Sequence, residues 1–317
     1  MAVKAGISPN KHLIYRDRVP ISAWEDFLNR ATRQQNECAS FRRQDAMTSI
    51  LVSSLELVRR VDEAALAYTL ARMKVLERIP GNPVGIAYRM LGGATALMAR
   101  NLPSSSFNRV AGVRNGQVDH VRQLVEWYRE RGAGGRFEIA AGDYDPALGR
   151  ELTRLGFFQS GFHAALIGEP ELRASAPSEI SVEPVISGAD MEEFLEAYVH
   201  GWGIPDAARA PFKANVRSWS AEPGWSLYVA RVDRKPAAAA ILFVHAGVGY
   251  LADAATDPAF RRRGLHAALL SRRLRDASAA GVDLVCSGAD FLSTSHRNME
   301  RAGMRLLFLG AIWTPLE

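Results

Sequence analysis

DAATDPAFRRRGLHAALLSRRL, residues 253–274, decides how the chain is read. Small and apolar residues run up to Thr256, and Asp257-Pro258 breaks the run. Arg261-Arg262-Arg263-Gly264 follows, and then Leu265, Ala268, Leu269, Leu270 and Leu274 return at helical spacing. The pattern predicts a strand, a tight turn and a helix. A helix start leaves several backbone N–H groups unpaired and pointing the same way, with the helix dipole adding partial positive charge. Gly264 has no side chain to hold a ligand away. Such a turn is a ready site for a phosphate or pyrophosphate, and the arginines beside it add forked, charge-assisted contacts.

The rest of the composition sets bounds. The chain has 317 residues, 48% hydrophobic and 23% charged, which suits a globular protein of one or two domains. The formal net charge is +5, almost all of it from arginine, since lysine occurs only at 4, 11, 74, 213 and 235. Scattered arginines without a basic tail fit an anionic small ligand better than nucleic acid. Cys38 and Cys286 are the only cysteines, lie far apart and share no motif, so neither a disulfide framework nor a metal site follows. No apolar run reaches the length of a membrane span, and no leader pattern stands at the start. A cytoplasmic protein is expected.

In the N-terminal half, residues 1–20 read as irregular. Ser22 would cap a helix at 23–32, and a long helical stretch covers Asp45 to Arg78, with Val61-Asp62-Glu63 as a point of restart. Strands are expected at Leu91–Ala99 and Phe107–Val113, around a turn at Pro103–Ser106. A helix at Asp119–Arg131, a strand at Arg136–Ala140, a helix at Pro146–Leu155 and a strand at Phe162–Ile167 follow. This half reads as lacking an arginine–glycine turn between strand and helix, so no coenzyme site is expected in it. Glu169–Ser178 is rich in Pro, Ala and Ser and reads as a linker.

The C-terminal half alternates differently. A strand at Ile180–Val185 precedes a helix at Ala189–Val199 capped by Ser187, and a looser helix spans Pro205–Trp219. Trp225–Val232 and Ala237–Val244 form a hairpin, and Gly247 opens the strand that runs to Ala255. After the arginine turn and its helix come a strand at Val282–Ser287, a helix at Ser295–Arg301 and a final strand at Leu306–Trp313.

This half resembles the GNAT N-acetyltransferases. The resemblance rests on Arg261-Arg262-Arg263-Gly264-Leu265-His266, similar to the family's [RQ]-x-x-G-x-[GA] turn, and on the preceding run Ala254-Ala255-Thr256-Asp257-Pro258. Ser295-His296-Arg297-Asn298-Met299-Glu300-Arg301-Ala302-Gly303-Met304 is similar to the family's last helix. The whole chain looks like a tandem member, with a degenerate GNAT-like copy at residues 1–170 and an active one at 178–317. The fold class implied is α/β (α+β), each copy a mixed, mostly antiparallel sheet flanked by helices.

The resemblance also implies chemistry. The co-substrate would be acetyl-CoA or another acyl-CoA, with no metal. Its pyrophosphate would meet the amides of Arg263, Gly264, Leu265, His266, Ala267 and Ala268, and Arg261, Arg262 and Arg263 would reach the nucleotide phosphates. The pantetheine arm would pair with Ala254, Ala255 and Thr256, and Asn298 would hold it from the other side. Asp253, just before the expected splay between strands, is the candidate base, and an amide at Ala255 or Thr256 would polarise the thioester. The acceptor would be a small-molecule amine, and the protein a monomer or homodimer with neither nucleic acid nor membrane as partner.

Two departures stand out. His266 replaces a small residue, and Met299 falls where the family often has an acidic tyrosine; methionine donates no proton. A coenzyme-sensing protein without turnover, or transfer of an aminoacyl or longer acyl group, are the competing readings. Lesser candidates are Cys286, open to acylation from the neighbouring strand, His245 and His296 as bases, and Asp290 and Ser293 in the loop near the expected thiol end; Trp202, Trp219 and Trp225 are candidates for lining an acceptor pocket.

Overall fold

The computed structural model describes residues 52–102, 104, 106–170 and 179–316. The expected helix at 23–32 with its Ser22 cap, Cys38, the part of the long helix before residue 52 and the linker at 171–178 lie outside the described residues.

The first described helix is α1, Leu55–Glu77. Ser54 caps it, its Oγ accepting from the Leu57 N–H at 3.1 Å. Residues 52–54 are not helical, and α1 runs unbroken through Val61-Asp62-Glu63. Val58, Val61, Ala64, Tyr68 and Val75 lie on its buried side, so one continuous apolar face removes the need for a restart.

The expected strand at 91–99 is cut in two. β1 (Ile86–Leu91) and β2 (Ala94–Ala99) form a hairpin whose turn is Gly92-Gly93, at φ 58° and 95°. Two residues at positive φ are what a twisted two-residue hairpin demands. β3 is short, Arg109–Ala111; α2 is Val118–Arg129, β4 is Arg136–Ala140, and α3 is Pro146–Arg154, capped by Asp145. β5, Phe157–Gly168, begins five residues earlier than expected.

The second half follows the sequence reading closely. It contains β6 (Ile180–Pro184), α4 (Gly188–Gly201), α5 (Asp206–Arg217), β7 (Trp225–Val232), β8 (Lys235–His245) and β9 (Val248–Thr256). Then come α6 (Leu265–Ala279), β10 (Leu284–Asp290), α7 (Thr294–Arg301) and β11 (Arg305–Pro315). Ser187 and Asp190 cap α4 reciprocally.

The eleven strands among the described residues join one sheet, in the order β1-β2-β3-β4-β11-β5-β10-β9-β8-β7-β6. Neighbours are antiparallel except β3 with β4 and β9 with β10, each joined by a crossover helix. The order β3-α2-β4-α3-β5 is thus repeated by β9-α6-β10-α7-β11. The last strands are exchanged: β5 lies against β10, and β11 lies against β4. β5 and β11 then pair with each other over nearly their whole length, which explains the early start of β5.

Side chains alternate across this sheet. Phe137 and Ile139 pack with Leu124, Val125, Leu148 and Leu152 of α2 and α3. On the second half, α6 and Met299 of α7 cover one face through Leu265, Leu269, Leu270 and Leu274. α4, α5 and α1 cover the other, through Phe194, Tyr198, Val216 and Tyr68. No helix among the described residues is long and apolar enough to cross a membrane.

Candidate functional site

β9 and β10 pair as parallel strands only at Val248–Leu284, Gly249–Val285 and Tyr250–Cys286. Beyond Tyr250 the ladder ends; the Ser287 hydroxyl still reaches across to the Leu251 carbonyl at 2.7 Å, and past it residues 252–256 of β9 and 288–290 of β10 flank a gap. β8 still pairs the far edge of β9, with a bulge between the Ala252 and Ala255 rungs. The Asp257 N–H donates to the Ala237 carbonyl at 2.9 Å, so Asp257 faces β8. By the two-residue alternation Ala255 faces β8 as well, and Ala254 and Thr256 offer their backbone to the gap.

The arginine turn sits at the end of this gap. Pro258–Phe260 makes one 3-10 turn, capped by the Asp257 carboxylate, which accepts from the Ala259 N–H at 2.8 Å. Arg262 and Gly264 take positive φ, 65° and 85°. No side chain among the described residues caps α6. Its first internal bond is Ala268 N–H to the Gly264 carbonyl at 3.0 Å, which leaves the amides of Leu265, His266 and Ala267 unpaired among the described residues. Arg261, Arg262 and Arg263 are exposed and form no ion pair among the described residues. His266 is half-buried; burial, then the nearby Arg273 cation, lowers it to about 4 and keeps the ring neutral.

Asp253 lies in the bulge at φ 45°, a left-handed conformation uncommon for a residue with a side chain. Tyr68 of α1 and Tyr198 of α4 both donate to its Oδ2 at 2.7 Å, and Arg72 Nη1 lies 3.4 Å from the same oxygen. Burial, then the Asp253 charge, raises both tyrosines well above their usual range, so both stay protonated. Arg72 sits against the rings of Phe107, Trp219 and Tyr68. Oδ1 accepts no hydrogen bond within the described residues. The bulge is braced from the opposite face by Arg273, a buried guanidinium on α6, which donates to the carbonyls of Ile241 at 3.0 Å, Ala252 at 3.2 Å and Leu269 at 3.1 Å. Gly201 lets α4 approach: a Cβ there would lie 2.7 Å from that of Ala255 and 2.9 Å from the Thr256 nitrogen.

The remaining sequence candidates scatter. Asn298 accepts from Arg301 Nη1 at 2.9 Å through its Oδ1. The Cys286 thiol is fully buried and pushed up to about 12 by that burial, so it is a core residue. Trp219 and Trp225 pack in the core, and Trp202 is half-exposed. His296 is buried and accepts the Leu292 N–H at Nδ1; Ser293 caps α7. Met299 is buried beneath α6. Sequence reasoning missed Tyr68, Arg72, Tyr198 and Arg273, because each looked like an ordinary helical residue.

One expectation is corrected in the first half. An arginine–glycine turn does stand between a strand and a helix there: Arg114-Asn115-Gly116, between β3 and α2. It is already filled by the protein. The Gly116 N–H donates to Asp145 at 2.9 Å and Arg114 pairs with Glu63 at 3.1 Å.

Comparison with known proteins agrees with this geometry. Residues 171–291 match the family model described as an acetyltransferase (GNAT) domain. No curated protein matches the chain significantly. Among solved structures, a GCN5-related N-acetyltransferase from Kribbella flavida is similar at TM-score 0.57 and 17% identity, over 80% of this chain and 96% of that one. One from Sphaerobacter thermophilus is similar at TM-score 0.52 and 18% identity, over 80% and 92%. A tandem GNAT protein from the clavulanic acid biosynthesis pathway is similar at TM-score 0.55 and 15% identity, over 82% and 94%. Residues 171–291 thus match a GNAT acetyltransferase domain, and the chain shares the fold of GCN5-related N-acetyltransferases, a tandem GNAT protein among them.

Proposed function

We propose that the protein transfers an acetyl group from acetyl-CoA to the amine of a small molecule. One observation carries the reading: the start of α6 with its free amides, three exposed arginines and the β9–β10 gap meet at one place. The pyrophosphate would sit on the amides of 265–267, the arm would follow the open edge at Ala254 and Thr256, and Arg261–Arg263 would meet the nucleotide phosphates. The Thr256 N–H would face the thioester oxygen. Asp253 would take a proton from the incoming ammonium through Oδ1. Holding the two reactants together supplies much of the rate.

The first half then serves as a degenerate copy. At its equivalent turn the Gly116 N–H is taken by Asp145 and Arg114 by Glu63, and these carboxylates would repel a diphosphate.

The test is calorimetric titration with acetyl-CoA, followed by thiol release across an amine panel. Saturable binding with release on some amine supports the reading; absence of binding ends it. Met299, buried and without a proton to give, favours a second reading, a coenzyme sensor. Tight binding without release on any acceptor would favour it.

A further inference from the structure

The first half contributes one group to the gap that nothing above uses, the imidazole of His163 on β5. Because the last strands are exchanged, β5 forms the outer neighbour of β10, and His163 stands opposite Asp290. Gly288 lies two residues past Cys286, the last rung shared with β9, so it belongs to the wall of the gap. The His163 ring crosses Gly288: a Cβ there would lie 2.2 Å from Nε2. Gly288 therefore has to be glycine for the ring to stand where it does.

The ring is on the same side of the sheet as Asp253. Cys286 packs against Val61 and Ala64 of α1, and by strand alternation Gly288 shares that face. Asp253 reaches Tyr68 and Arg72 of the same helix. Asp253 and the His163 ring thus lie on one face of the sheet, on either side of the gap between β9 and β10. His163 is half-buried and makes no hydrogen bond within the described residues. Burial is the main influence lowering its basicity, so the ring is neutral near pH 7. The charged groups that act on it are Glu138 and Arg136 on β4, Arg109 on β3 and Asp290 on β10; from α1, Asp62 faces the Arg109–Glu138 pair.

We propose that His163 carries the proton from the attacking nitrogen to the departing coenzyme sulfur. This rests on the acetyl-transfer reading. Two protons leave an acceptor that arrives as an ammonium ion. Asp253 takes the first, and the free amine then attacks the thioester carbon. As the C–N bond forms, His163 takes the second proton from the now cationic nitrogen. The C–S bond breaks with its electron pair going to sulfur, and the imidazolium returns that proton to the thiolate. The products are the amide and the coenzyme thiol, with one net proton released through Asp253. A single imidazole acting first as base and then as acid removes the need for a hydroxyl at Met299.

The test uses His163→Gln and Gly288→Ala in the full chain, the second displacing the ring by the added methyl. Both are expected to lower kcat about 100-fold, with acetyl-CoA affinity by calorimetry changed less than about threefold. Wild-type kcat should fall as pH drops below the unperturbed imidazole range, near 6.5, and His163→Gln should lose that limb. A readout free of turnover is the His163 ring proton resonance, assigned by its absence in His163→Gln. It is expected to shift on adding acetyl-CoA to wild type and not in Gly264→Glu. If acetyl-CoA binds and the resonance does not move, or kcat and its pH limb survive in His163→Gln, the proton-carrier role is wrong and the transferase reading stands. If acetyl-CoA does not bind at all, both fall.

Discussion

Gly264→Glu separates the proposed coenzyme site from the stability of the fold. Gly264 sits at φ 85° at the head of α6, so any side chain there adopts a left-handed conformation. That costs about 1 kcal/mol, a fall in Tm of about 2 °C for a domain of this size. The effect on binding is larger. The new carboxylate would lie beside the diphosphate, about 4 Å away, where like charges at an effective dielectric of about 20 repel by roughly 4 kcal/mol. With tenfold for each 1.4 kcal/mol, acetyl-CoA affinity should weaken on the order of 1000-fold. Gly264→Ala carries the same backbone strain without the charge, so its Tm should match while its affinity falls less than about tenfold. Calorimetry with acetyl-CoA and a thermal melt read both quantities. Equal affinities for the glutamate and alanine variants would refute the placement of the diphosphate.

Further outcomes follow from the same geometry. Asp253→Asn should lower kcat at least about 10-fold, with coenzyme affinity nearly unchanged; an unaltered rate at saturation would remove Asp253 from the chemistry. Arg273→Met strands the carbonyls of Ile241 and Ala252 around the bulge, and should cost about 2–4 kcal/mol by urea unfolding; a loss below about 0.5 kcal/mol would contradict the bracing role. Burial holds Asp62 up at about 6, so ionising it penalises the fold above that pH, and the penalty vanishes below the unfolded value near 4. Asp62→Asn should therefore raise Tm at pH 8 and leave it unchanged at pH 3.5; equal effects at both pH values would count against a desolvated carboxylate that resists ionisation.

The local plan of the second half is legible in the chain. Period-two runs, the tight turn between β7 and β8, where Asp233 and Arg234 take φ 49° and 65°, and Gly264 each act on neighbours in sequence, so propensity and pattern reveal them. The exchange of β5 and β11 is not local. Alternation says that Phe157–Gly168 is a strand, but nothing in it names β10 and β11 as its partners, and His163 acquires a role only through that pairing. Tyr68 and Arg72 likewise read as members of an amphipathic helix until α1 is laid over the bulge. The Gly92-Gly93 hairpin was readable in principle, since paired glycines between apolar runs mark a tight turn. Arg114-Asn115-Gly116 was equally visible, but its occupation by Asp145 was not, because the two are joined only by folding.

Amide hydrogen exchange with and without saturating acetyl-CoA tests the central claim most directly. Protection should appear at Ala254 and Thr256 and at Leu265, His266 and Ala267, with no change at Arg114–Gln117 of the first half. Binding without protection at those positions, or protection confined to the first half, would contradict the account.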